Sequence, residues 1–168
     1  MRLPWRRTPD ERSPRDGPPP AEVVLEAIGF VSGPVKKPRP RGWTRIVSTV
    51  EIRSRFASRL AGLERFSHII VVFYMDLAAL APDKPEELRL AGGRMAGILA
   101  TRSQLRPNHL GVSAVPLLGV EGTTLTVRGL DAIDGTPVLD VKPYLPEYDA
   151  HSEATIPDRM PGSSRIRR

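Results

Sequence analysis

Short runs of β-branched, aliphatic and aromatic residues recur through the middle of the chain, each closed by glycine, proline or a small charged cluster. The run EVVLEAIGFV (22–31) stops at Gly33-Pro34, and TRIVSTVEI (44–52) has the same character. FSHIIVVFYMDL (66–77) is continuously apolar at its centre, the pattern of a strand with protein on both faces. Segments 95–102, 112–120, 123–130 and 136–144 continue the series, with Glu121-Gly122 suited to a tight turn between two of them. Pro116 cannot donate to a strand ladder, which places a strand edge or a bulge near it. Helical spacing is confined to two short stretches. In 54–62, Phe56 and Leu60 share a face and Gly62 suits a C-cap; in 85–90, Glu86 and Glu87 fall in the first turn. So many short strands with so little helix predict an all-β fold: a single-sheet antiparallel β-barrel with one or two short helices.

Composition adds the domain layout. The 168 residues suit one domain, and 40% of them are hydrophobic, enough for a core. Residues 1–20 (MRLPWRRTPDERSPRDGPPP) carry arginines without the apolar stretch of a secretory leader and read as a disordered Pro/Arg-rich tail. Residues 21–149 form the expected barrel domain, and 150–168 a flexible basic tail. No run approaches the roughly 18 to 20 apolar residues that cross a bilayer. The absence of cysteine excludes disulfides, thiolate metal sites, iron–sulfur clusters and cysteine nucleophiles, and accords with a cytoplasmic protein.

The net charge of +6 is spread thinly, because each tail contributes +2 and the body only +2. One local asymmetry matters more. Between Glu26 and Glu51 lie Lys36, Lys37, Arg39, Arg41 and Arg45, with no acid. Such a loop serves equally as a contact for several phosphates or as a solvated loop kept soluble by charge.

Several chemistries lack their motifs. There is no Walker-type phosphate loop and no Gly-x-Gly-x-x-Gly after a strand; AGGRMAG (91–97) has the wrong spacing. His68, His109 and His151 are too far apart in sequence to suggest a metal site, and no Gly-x-Ser-x-Gly elbow supports a serine hydrolase.

Three segments carry a family resemblance: GLERFSHIIVVFYMD (62–76), GILATRSQLRPNHLGVSAV (97–115) and TVRGLDAIDGTPVLDVKPYLP (126–146), together with AIGFVSGPV near the start. The most distinctive runs are Arg106-Pro107-Asn108 with Gly111, and Asp134-Gly135-Thr136-Pro137 with Asp140 and Lys142-Pro143-Tyr144. With these the chain resembles the TrmO/TsaA-like (YaeB-like) family over most of residues 24–146. The resemblance implies a β-barrel, usually a homodimer, that binds S-adenosylmethionine. It also implies N6-methylation of a threonylcarbamoyl-modified adenine in the tRNA anticodon loop, with no membrane and no metal involved.

The residues suit such a cofactor in the absence of a Rossmann loop. Asp131 and Asp134 suit ribose hydroxyls or the amino group, backbone freed by Gly135 beside Thr136 suits the adenine edge, and the Arg102 guanidinium suits the carboxylate. Arg41, Gly42, Trp43, Asp76 and Leu110 complete the expected cofactor-binding set. Asp76, at a strand end, is also the candidate proton acceptor, since the N6 amine must lose a proton. Lys36, Lys37, Arg39, Arg106, Asn108, Lys142 and Tyr144 are the expected contacts to RNA.

Each of these also has a structural reading. Asp134-Gly135 is a common turn pair, Asp131 and Asp140 could tie loops together, and Arg102 and Arg106 could form surface ion pairs. Trp43 could cap the core instead of stacking on a base.

The chain departs from the family pattern at four places. Asn-Pro-Ile-Gly becomes Asn108-His109-Leu110-Gly111, and a Pro-Arg-Gln-Pro-Gly loop becomes Pro38-Arg39-Pro40-Arg41-Gly42. A His-Gln pair becomes Asp76-Leu77, and the segment 78–93 is short. These changes keep two alternatives open: a barrel that methylates a small-molecule acceptor, and a binding module without catalysis.

Overall fold

The computed structural model describes residues 17–82, 84–90 and 92–156, so the two expected tails lie largely outside the described residues. Among the described residues there are eight strands: β1 (Gly29–Ser32), β2 (Val47–Ile52), β3 (His68–Tyr74), β4 (Glu87–Arg89), β5 (Met95–Gly97), β6 (Leu110–Glu121), β7 (Thr124–Arg128) and β8 (Pro137–Pro143). Six close into a barrel in the order β1-β2-β7-β6-β3-β8, every neighbouring pair antiparallel. Closure rests on Gly29 opposite Val138 and Phe30 opposite Pro137. The expected all-β barrel is therefore the observed fold.

Alternation fills the barrel. Ile69, Val71 and Phe73 of β3 point inward and meet Val50, Ile52, Val115, Leu125, Val127 and Val138 from the other strands. Fully burying side chains of this size contributes about 1.5–3 kcal/mol each. The opposite parity of β3, Ile70 and Val72, is only half-buried on the outer wall, so the apolar run encodes an outward-facing apolar patch as well as a core. A 3₁₀ helix over Ser54–Leu60 sends Phe56 and Leu60 against one end of the core, and Gly62 follows in the left-handed conformation (φ 90).

The tight turn and the irregularity near Pro116 fall where expected. The β6–β7 hairpin turns at Gly122 (φ 59), and its register shifts between Leu117 and Gly119, just past Pro116. A second shift, between Val72 and Phe73, offsets β8 against β3.

Three expected elements differ. Residues 85–90 are not helical: Glu87–Arg89 pairs with Met95–Gly97 as a two-stranded sheet outside the barrel, turned by Gly92 and Gly93 at positive φ. That pairing takes up the backbone groups a helix would have used, and acidic residues alone cannot offset its loss. The expected strand 95–102 stops at Gly97 and continues as a 3₁₀ turn, Ile98–Ala100. Of 22–31, only Gly29–Ser32 pairs. Two short helices, α1 (Asp76–Ala79) and α2 (Pro146–Asp149), follow β3 and β8.

Candidate active site

The strands deliver a cavity of about 450 Å³ to one end of the barrel. β3 contributes Phe73 and, just past its end, Met75; α1 contributes Asp76 and Ala78. The loop before β2 supplies Pro38, Arg39, Pro40 and Trp43. Arg102, Ser103 and Gln104 come from the loop before β6, and Asp131, Ala132, Ile133 and Thr136 from the segment between β7 and β8. Two carboxylates, two guanidiniums, an indole and an apolar floor therefore face one hollow.

The basic loop is folded against itself. The Trp43 indole N–H donates to the Arg39 carbonyl at 3.2 Å, and Arg39 Nε donates to the Arg41 carbonyl at 2.7 Å. The Arg39 guanidinium lies 5.9 Å from the centre of the Trp43 ring. Gly42 sits at φ 86, and a Cβ there would strike that guanidinium, so a side chain would open the turn.

Residues 131–136 are tied to residues 31–36. The Asp134 N–H donates to the Val35 carbonyl and the Gly135 N–H to the Val31 carbonyl, both at 2.8 Å. The Asp134 carboxylate accepts the Gly33 N–H at 3.0 Å and the Lys36 ammonium at 2.6 Å. The Lys36 hydrogen bond, then that of Gly33, holds the Asp134 carboxyl below the usual aspartate range, with burial acting the other way. Asp134 and Gly135 are not among the lining residues, whereas Asp131 and the buried Thr136 are.

The opposite wall is stitched by hydroxyls. Thr101 Oγ1 donates to the Ile98 carbonyl and accepts the Ser103 N–H, while Ser103 Oγ accepts the Leu105 N–H. His109, 4% exposed and at φ 50, lies 3.0 Å through Nδ1 from the Gln104 carbonyl. A carbonyl only accepts, so Nδ1 carries the proton. Arg102 donates to the Val112 carbonyl at 2.8 Å, and the Ser113 hydroxyl donates to Asp131.

Of the expected site residues, the fold brings Arg39, Trp43, Asp76, Arg102, Asp131 and Thr136 to this cavity. Lys36, Lys37, Arg41 and Gly42 belong to its basic loop without lining it. Asn108 and Leu110 face a neighbouring hollow on the outer wall, with Tyr74 and residues 21–25, and Arg106 lies in the loop leading to it. Lys142 and Tyr144 are at the far end of β8, about 20–25 Å of strand from Thr136. There Lys142 pairs with Asp140 at 2.7 Å and Tyr144 packs against His68. Sequence reading missed Ser103, Gln104, Met75, Ile133 and Ser113. Ser113 alone had a legible signal, a hydroxyl at the inward parity of a barrel strand.

Among the described residues no group of three histidines and acids is placed to hold a metal, and no helix is long and apolar enough to cross a membrane.

Residues 34–150 match the family described as the tRNA-methyltransferase O N-terminal domain. The chain belongs to the TrmO family. A crystal structure of TrmO from Pseudomonas aeruginosa superposes with a TM-score of 0.63 at 33% identity, over 80% of this chain and 61% of that one. An S-adenosyl-L-methionine-binding protein of Archaeoglobus fulgidus is 39% identical over 131 residues, 76% of this chain and 93% of that protein. The human tRNA (adenine(37)-N6)-methyltransferase is 35% identical over 150 residues, 80% of this chain but 33% of the human enzyme. This TrmO-family chain thus spans about three fifths of the solved TrmO and a third of the human protein.

Proposed function

We propose that this TrmO-family chain methylates N6 of an adenine beside the anticodon of a tRNA, the acceptor base being threonylcarbamoyl-modified. Its family makes it an S-adenosylmethionine-dependent methyltransferase. The finer reading is carried by one observation: the cavity's carboxylates and guanidiniums share a barrel end with the basic loop, so a charged small molecule and a polyanion can meet there.

The donor set fits S-adenosylmethionine. That molecule carries a carboxylate, an ammonium, a ribose diol and an adenine, and the cavity offers Arg102, Asp131, Thr136 and the Trp43 indole beside Ile133. When bound, it supplies an electrophilic methyl group on a sulfonium. Holding the acceptor nitrogen in line contributes up to about 7–11 kcal/mol to such a reaction, so positioning by the walls does most of the catalysis. Asp76, lining the cavity at the start of α1, accepts the proton that the N6 amine must release. Asp134 shapes the wall through Lys36 rather than touching ligand. Lys37 and Arg41, with Arg106 on the other side, meet phosphates.

The working unit in this proposal is a homodimer. Val24, 98% exposed, and Leu25 lie beside Val72, Leu110 and Leu139 on the outer wall, an apolar surface suited to a second copy. Light scattering would report a monomer if that surface has no such role.

The decisive assay is nucleoside mass spectrometry of tRNA from a strain lacking the gene, incubated with the protein and cofactor. The threonylcarbamoyl-adenosine becomes one methylene heavier under this reading. Cofactor turnover with that nucleoside unchanged would move the acceptor to another molecule. No turnover on any RNA, with cofactor bound, would favour a binding module.

A further inference from the structure

We propose that Ser113 is a positioning residue that aims Asp131, so that Asp131 and Arg102 together receive the zwitterionic amino-acid end of the cofactor. This inference rests on reading the cavity as the S-adenosylmethionine site and adds the cofactor's orientation within it.

One strand edge of the barrel is uncovered beside the cavity. Between Leu110 and Pro116, β6 is paired with β3, and its pairing with β7 begins only at Leu117. Backbone groups along the remaining edge need other partners. Arg102 supplies one by donating to the Val112 carbonyl at 2.8 Å. The next residue, Ser113, donates its hydroxyl to Asp131 Oδ1. Two groups of opposite charge, from different loops, are therefore moored on adjacent residues of one strand.

The parity of β6 explains why Ser113 can do this. Gly111, Ser113 and Val115 share the inward side. Val115 is core, and Gly111 leaves its space to the Phe73 ring. A core-filling strand would place an aliphatic residue at 113. The hydroxyl instead reaches the carboxylate of a lining residue.

The unused valences point to the ligand. Ser113 occupies one oxygen of Asp131, leaving the other; Arg102 has five N–H donors and gives one to Val112. Among the described residues, no cation pairs with Asp131 and no carboxylate pairs with Arg102. An α-ammonium and an α-carboxylate hang from a single carbon. A carboxylate and a guanidinium moored on neighbouring residues of one strand offer such a pair the two complementary charges. The nucleoside end then lies toward Trp43, Ile133 and Thr136.

The test compares two probes by calorimetry: S-adenosylmethionine, and 5′-methylthioadenosine, which keeps the nucleoside and lacks the amino-acid end. Ser113→Ala should weaken S-adenosylmethionine about tenfold and leave 5′-methylthioadenosine within about twofold, whereas a general loosening of the wall would weaken both. Ser113→Thr, which keeps the hydroxyl, should restore most of the loss. In an Asp131→Ala background, which has no acceptor for the Ser113 hydroxyl, the alanine change should add nothing. Equal effects on the two probes, or no effect on either, would overturn the role of Ser113 while leaving the cofactor site standing. Failure of the unaltered protein to bind S-adenosylmethionine at millimolar concentration would remove both.

Discussion

Lys36 Nζ lies 2.6 Å from Asp134 Oδ2, and this contact fastens the basic loop to the loop that leads into β8. The Gly33 N–H on the other carboxylate oxygen completes the tie. Together with the backbone bonds between Val31 and residues 135–136, this aspartate ties two walls of the cavity, one carrying Arg39 and Trp43 and the other Asp131 and Thr136.

The tie has a pH signature. Asp134 is held below the usual aspartate range, first by Lys36 and then by the Gly33 N–H. A carboxyl whose folded-state pKa is depressed adds stability above its unfolded value and loses it as pH falls through the folded one. Thermal melting of the protein and of Asp134→Asn should therefore differ at neutral pH, with the unaltered protein higher. The two curves should converge as acid protonates Asp134. A constant gap down to strongly acidic pH would mean that the carboxylate's charge is not what holds the loops.

The barrel is legible in the sequence because short apolar runs closed by glycine or proline mark its strands; alternation in β7 reports which side chains face inward, whereas the continuous run of β3 and the buried Ser48 of β2 do not. Residues 85–90 mislead because two glutamates at a supposed helix start say nothing about Met95–Gly97, the partner that makes them a strand. The site is legible in part. Arg102, Asp131 and Thr136 stand out by charge or motif and do line the cavity. Asp134 reads as a ligand contact or a turn, and its ion pair with Lys36, far off in sequence, could not be read from the motif. Lys142 and Tyr144 share a motif with Asp134 and Thr136, yet an extended strand carries them to the other end of the barrel.

Gly111 has a role that only packing reveals. A Cβ at this position would overlap the Phe73 ring, which belongs both to the core and to the cavity wall. Gly111→Ala should cost about 1–3 kcal/mol of stability, read as a lower denaturant midpoint, and should weaken cofactor binding with it. Adding Phe73→Leu should recover part of the stability. A Gly111→Ala protein as stable as the parent would mean that the ring has room to move.

Arg102 is the guanidinium best placed for a carboxylate, since its anchor on Val112 fixes it at the cavity wall. Arg102→Ala should weaken S-adenosylmethionine by about 1.5–3 kcal/mol, the range for hydrogen bonds to charged groups. Arg102→Lys should recover little, because a single ammonium cannot both hold the Val112 carbonyl and fork onto two oxygens. Unchanged affinity in the alanine variant would take Arg102 out of the site.

The basic loop divides its charges between structure and solvent. Lys36 is committed to Asp134, and Arg39 to the Arg41 carbonyl and the Trp43 ring, so neither reports cleanly on RNA. Lys37 and Arg41 are exposed, and no carboxylate pairs with either among the described residues. Replacing both with alanine should leave cofactor affinity and melting temperature close to the parent. It should lower the slope of log tRNA affinity against log salt by about 1.4–1.8, the share of two phosphates that are no longer neutralised. An unaltered slope would show that phosphates are met elsewhere on the molecule. The slope is the better readout than affinity at one salt concentration, because a change in counterion release separates phosphate neutralisation from a rearranged loop.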